Sequence, residues 1–187
     1  MTKKGIEEFH KKLKELKDYI ALATVPASSY NKTNIEIIKN FISEGIPGVY
    51  ITLNKPYSTM LESFKKNKID TRLIIFVDSV TKLASSNVKK DKNCLFIGSP
   101  ERLSDISIAM DQAVRAIPTK EKFVFFDSLS TLLIYNKSDT VARFIHFLAT
   151  KMRAWKVKGI IISLEKEKNK DLIDKLTQVC DLVEDLK

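Results

Sequence analysis

Apolar residues recur three or four apart near the start of the chain. Ile6, Phe9, Leu13 and Leu16 fall on one stripe, which predicts an amphipathic helix over 6–17. The run YIALATV, residues 19–25, has the length and composition of a strand, and the polar stretch PASSYNKT follows it at once. Ile35, Ile38, Phe41 and Ile42 return to helical spacing over 34–45, where Gly45 supplies a C-terminal stop. The same alternation continues: a strand at 49–54, a helix at 57–67 with Met60, Leu61 and Phe64 inward, and a strand at 72–80. A polar stretch, residues 81–93, reads as an exposed loop before a strand at 94–98. Beyond it the pattern predicts a helix over 101–116, ended by Pro118, and a strand at 122–129. A long helix over 138–155, a strand at 158–164, a helix over 169–179 and a last strand at 181–186 complete the chain. KFVFFDSL at 122–129 is the most apolar strand, so it belongs at the centre of a parallel sheet buried on both faces. Six or seven strands alternating with helices predict an α/β fold, a three-layer, doubly wound, mostly parallel sheet.

A length of 187 residues suits one core, so the expected organisation is the N-terminal amphipathic helix over 1–18 followed by a single domain over 19–187. No apolar run approaches the roughly 20 residues of a membrane span. No apolar stretch follows the first lysines either, which predicts a protein kept in the cytoplasm. Cys94 and Cys180 are far apart and only His10 and His146 accompany them, so no zinc site is readable. His146 reads as a packing residue within a long helix, and His10 as solvated. The net charge of +9 invites a nucleic-acid reading. Lysines spread along the chain, rather than clustered arginines with aromatics, weigh against it, as acidic residues in the first helix weigh against a membrane surface.

In a doubly wound sheet, ligands sit beyond the carboxyl ends of the strands. Four places qualify: Pro26–Thr33, Asn54–Lys55, Asp78 and Asp127–Ser128. The first has the length of G-x-x-x-x-G-K-[ST], with Lys32 and Thr33 in register and both glycines replaced. With VYITLN, FVFFDSLSTLL, GIIISL and CDLVEDL following in order, residues 19–186 resemble the RecA-like P-loop ATPases, in particular the archaeal KaiC-like branch, with a degenerate Walker A motif. The resemblance places Asp127 in the Walker B position. It implies ATP or ADP with magnesium, and often ring assembly. Carried over, the candidate nucleotide site is Ser29, Tyr30, Asn31, Lys32, Thr33, Asp127 and Ser128, with Thr33 and Asp127 on magnesium.

The departures carry the functional expectation. Glycines let a phosphate loop adopt positive φ and bring N–H groups to the phosphates, whereas Pro26 has a fixed φ and no N–H. Asn31 is the gentler replacement, because asparagine tolerates the left-handed region. KaiC-like ATPases usually carry acidic residues just after the second strand; here Asn54 and Lys55 stand there, and neither serves as a carboxylate base. Lys55 either neutralises a phosphate or fills the site with its own charge. The reading is therefore a pseudo-ATPase, with no catalytic residue assigned, either still binding nucleotide or free of it, acting as a regulatory or assembly module with a protein partner or a copy of itself. Two alternatives stand beside it: a weak ATPase in which Asp78 positions water, and a RecA-like nucleic-acid binder.

Overall fold

The computed structural model describes residues 3–85, 87–164 and 170–186. The stripe at the start forms α1 (Lys3–Lys14). Then come β1 (Tyr19–Val25), α2 (Tyr30–Ser43), β2 (Gly48–Thr52), α3 (Tyr57–Lys66), β3 (Ile74–Asp78), the single turn α4 (Thr81–Ala84) and β4 (Cys94–Phe96). The second half holds α5 (Leu103–Ala116), β5 (Phe123–Asp127), α6 (Leu129–Tyr135), α7 (Ser138–Trp155), β6 (Lys158–Leu164), α8 (Lys170–Thr177) and β7 (Leu182–Asp185). Asn169, where the sequence starts the last helix, lies outside the described residues.

The strands form one seven-stranded sheet in the order β4-β3-β2-β5-β6-β1-β7. Every pairing is parallel. The apolar strand β5 is fourth of seven, and β2 and β5 are buried at every position. Alternation along the strands divides the core in two. Ile20, Leu22, Val124 and Phe126 face the layer of α5–α8, while Tyr19, Ala21, Phe123 and Phe125 face the layer of α1–α3. The architecture is thus helix, sheet, helix, as the alternation predicts.

Phe9 and Leu13 of α1 are buried in the second of these layers. Lys12 pairs with Glu184 of the edge strand β7 at 2.9 Å, and Lys14 with Glu44 at 2.8 Å, which anchors the helix on the body of the fold. Gly45 ends α2 at φ +71°, and the Ile46 N–H donates to the Phe41 carbonyl at 3.0 Å. Gly48 marks a closer approach: a Cβ there would lie 2.4 Å from the Phe123 ring. That ring stacks on Phe41 at 4.7 Å between centroids.

Three segments differ from the sequence reading. The strand expected from residue 72 begins at Ile74, because Asp70 accepts from the Arg72 N–H and turns 71–73 into a 3-10 helix. Helix α6 occupies a stretch read partly as strand and partly as connection. The two histidines also exchange roles: His146 is exposed on α7, whereas His10 Nε2 is buried without a partner among the described residues and its pKa is lowered by burial.

Candidate functional site

All strands run the same way, so Val25, Thr52, Asp78, Asp127, Leu164 and Asp185 end on one edge of the sheet. β2 leads on to β3 on one side and β5 to β6 on the other, so the topological switch point lies between the ends of β2 and β5.

The turn after β1 is tight. The Ser29 N–H and hydroxyl both point to the Pro26 carbonyl, at 3.1 and 3.3 Å, and α2 starts at Tyr30. No residue of 26–33 has positive φ. Without glycine the chain closes a short turn and enters the helix about a turn before the expected start at residue 34, so Tyr30, Asn31, Lys32 and Thr33 are helical residues rather than loop. Lys32 is exposed. Thr33 is fully buried, and its hydroxyl donates to the Ser29 carbonyl at 3.0 Å.

The turn after β2 reaches across to this one. Asn54 Nδ2 donates to the Tyr30 hydroxyl at 2.8 Å, and the Lys55 ammonium donates to Asn31 Oδ1. The Thr52 hydroxyl donates to the Lys55 carbonyl at 2.6 Å and fixes the turn. Burial lowers the pKa of Lys55. The Lys55 ammonium thus bridges the two turns.

Asp127 lies beneath this bridge, in register with Thr52. Its Oδ2 accepts from the Tyr50 hydroxyl, while Oδ1 is buried without a partner among the described residues. Burial raises its carboxyl to about 8, so at neutral pH the side chain is largely protonated. Asn34 Oδ1 is the other orphan acceptor here, and both side chains line a cavity of about 20 Å³ with Asn31, Tyr50 and Lys55. That volume holds roughly one water-sized group. Burial also pushes the Tyr50 phenol far above its usual range, which keeps it a donor.

The remaining candidates are fully engaged. Ser128 Oγ lies 3.2 Å from the Thr131 hydroxyl at the start of α6. Asp78, buried, accepts from the Tyr57, Val80 and Thr81 N–H groups at 2.7–2.8 Å and from the Thr81 hydroxyl. It organises the starts of α3 and α4. Structure therefore gathers Tyr30, Asn31, Asn54, Lys55 and Asp127, and leaves Lys32 and Thr33 facing elsewhere. Tyr50 and Asn34 complete the cluster and were not singled out from sequence. Asn34 had a signal: it sits on the apolar face with Ile38 and Phe41.

These residues do not fit magnesium. The ion takes a near-octahedral shell of oxygens and keeps several waters. Here the Thr33 hydroxyl donates to a backbone carbonyl, Asp127 Oδ2 accepts from the Tyr50 hydroxyl, and the cavity has room for about one water. Among the described residues, no three His, Cys, Asp or Glu side chains cluster as metal ligands. No helix among them is long and apolar enough to cross a membrane.

No curated protein matches the chain. Among solved structures, a KaiC-like protein from the hyperthermophilic archaeon Pyrococcus horikoshii superposes with a TM-score of 0.62 at 15% identity, covering 91% of this chain and 73% of that one. At that identity the likeness establishes the fold, which is KaiC-like and RecA-like. A family model, described as a family of unknown function (DUF7504), matches residues 59–186. Its span includes Asp127 and excludes both turns that Lys55 and Asn54 join. The chain belongs to the DUF7504 family, and it carries that family's span on a RecA-like α/β fold.

Proposed function

We propose that this domain is a pseudo-ATPase, a RecA-like module that no longer hydrolyses ATP and acts in the cytoplasm through a protein partner or a second copy of itself. The observation that carries the reading is the bridge over the strand ends, Lys55 to Asn31 and Asn54 to Tyr30. A phosphate-gripping loop needs exposed donors around an open cradle. Here the cradle is filled by a lysine from the next turn, and the lysine that aligns with the phosphate-binding position, Lys32, faces solvent. A hydrolytic site also needs a carboxylate able to take a proton from water. Burial raises the Asp127 carboxyl to about 8, and four donors occupy Asp78, which weighs against the weak-ATPase reading. The regulatory or assembly role follows from a retained fold whose catalytic edge is closed.

Phosphate release from ATP with magnesium, measured on the wild type and on Lys32→Ala, tests this reading. The same background rate in both is expected; a steady release abolished by the substitution overturns it.

A further inference from the structure

The lateral edge of the sheet at β4 carries an open groove. Among the described residues, β4 is a three-residue edge strand whose one strand partner is β3, with an isolated antiparallel bridge between Cys94 and Asp91. The Phe76 N–H donates to the Asn93 carbonyl at 2.7 Å, and the Ile97 N–H to the Asp78 carbonyl at 2.8 Å. Alternate residues therefore turn inward, and Cys94 and Phe96 direct their backbone groups to the outer side. The Cys94 N–H is occupied by the Asp91 carbonyl at 3.3 Å. Beside this edge, between β4, α5 and the loop before β4, runs a groove of about 650 Å³. Its floor includes Leu95, Ile97 and Ile108, and Ile108 is 58% exposed on the outer face of α5.

Charge selects the occupant. Lys82, Lys90 and Arg102 line the groove with Asp91 and Asp105. Asp105 pairs with Arg102 at 2.9 Å, and Asp91 accepts from the Tyr57 hydroxyl at 3.1 Å and the Asn93 N–H at 2.8 Å, which leaves the lysines of this region in excess over the single carboxylate of Asp91. Lys82 and Lys90 are exposed and form no ion pair among the described residues, and Lys89 and Lys92 add to the same loop. We infer that this groove binds an extended acidic segment of a partner protein, added as a strand beside β4. Main-chain bonds to Phe96 supply the register, apolar side chains lie on Leu95 and Ile108, and acidic ones meet Lys82 and Lys90. The groove uses none of the residues of the Lys55 bridge, so this inference does not depend on the pseudo-ATPase reading.

A capped heptapeptide of alternating glutamate and valine, labelled for fluorescence anisotropy at physiological salt, is the probe. Three results are expected together. The peptide binds and protects the Phe96 amide from hydrogen exchange. Lys82→Glu with Lys90→Glu weakens it by about tenfold or more, as does Ile108→Lys. Methylating the peptide's alternate amide nitrogens does the same, since a strand without those donors cannot pair. All the substituted positions are exposed, and unchanged thermal unfolding confirms that the variants fold. The inference is overturned if the lysine-valine counterpart binds equally well, if methylation has no effect, or if no binding is seen up to millimolar peptide. It is equally overturned if a short oligonucleotide binds through Lys82 and Lys90 while the peptide does not, or if Ile108→Lys abolishes concentration-dependent self-association, which makes the occupant a second copy.

Discussion

The Tyr50 hydroxyl donates to Asp127 Oδ2 from the neighbouring strand, and both side chains are buried. A carboxyl raised to about 8 in the folded chain titrates near 3.9 when unfolded. Between these values the folded state holds a proton that the unfolded state has released. Its contribution is present in full below pH 4 and is lost as pH rises toward 8, at up to about 1.4 kcal/mol per pH unit. Urea unfolding of the wild type and Asp127→Asn at pH 5, 7 and 9 measures it. The neutral isostere is expected to flatten this slope, so the variant gains stability relative to wild type as pH rises; parallel curves contradict a protonated Asp127.

Removing the bridging ammonium loosens the crevice without touching the core. In Lys55→Ala, hydrogen exchange at residues 30–33 is expected to accelerate by about tenfold, with β5 amides unchanged, because only local opening is affected. Equal exchange in both proteins shows that Lys55 does not hold the two turns together.

Gly48 and Phe123 test the packing of the central pair of strands. An added Cβ 2.4 Å from the ring forces a shift in a stacked aromatic pair. Gly48→Ala is expected to cost about 1–3 kcal/mol in chemical unfolding. Phe123→Leu in the same chain recovers part of that loss, and the coupling is read from a double-mutant cycle.

Much of the architecture is legible from local pattern. YIALATV and KGIIISL match β1 and β6 to the residue, because each is an apolar run closed on both sides by polar or turn residues. KFVFFDSL lies centrally for the reason its composition gives, burial on both faces. The misreadings have physical causes. The start of α2 depends on whether a loop without glycine can stay open, and the Ser29 bonds to Pro26 settle that question in three dimensions. Helix α6 spans seven residues directly after an apolar strand, too short for its periodicity to separate from the strand's. Tyr50 reads as one more core aromatic in VYITLN, since nothing in a strand's own pattern says which carboxyl its hydroxyl will meet. The Asn54–Lys55 pair was legible as a chemical departure, but its contacts with Tyr30 and Asn31 join residues 24 apart.

A strand edge bridged by Lys55 is expected not to take up nucleotide. The most direct measurement is thermal unfolding of the wild type and Lys32→Ala, with and without ATP and magnesium. A ligand at about 100 times its dissociation constant adds roughly 2.7 kcal/mol, a rise of about 5–10 °C for a chain of this size. The account predicts no shift in either protein; a shift of that size in the wild type, lost in Lys32→Ala, would contradict it.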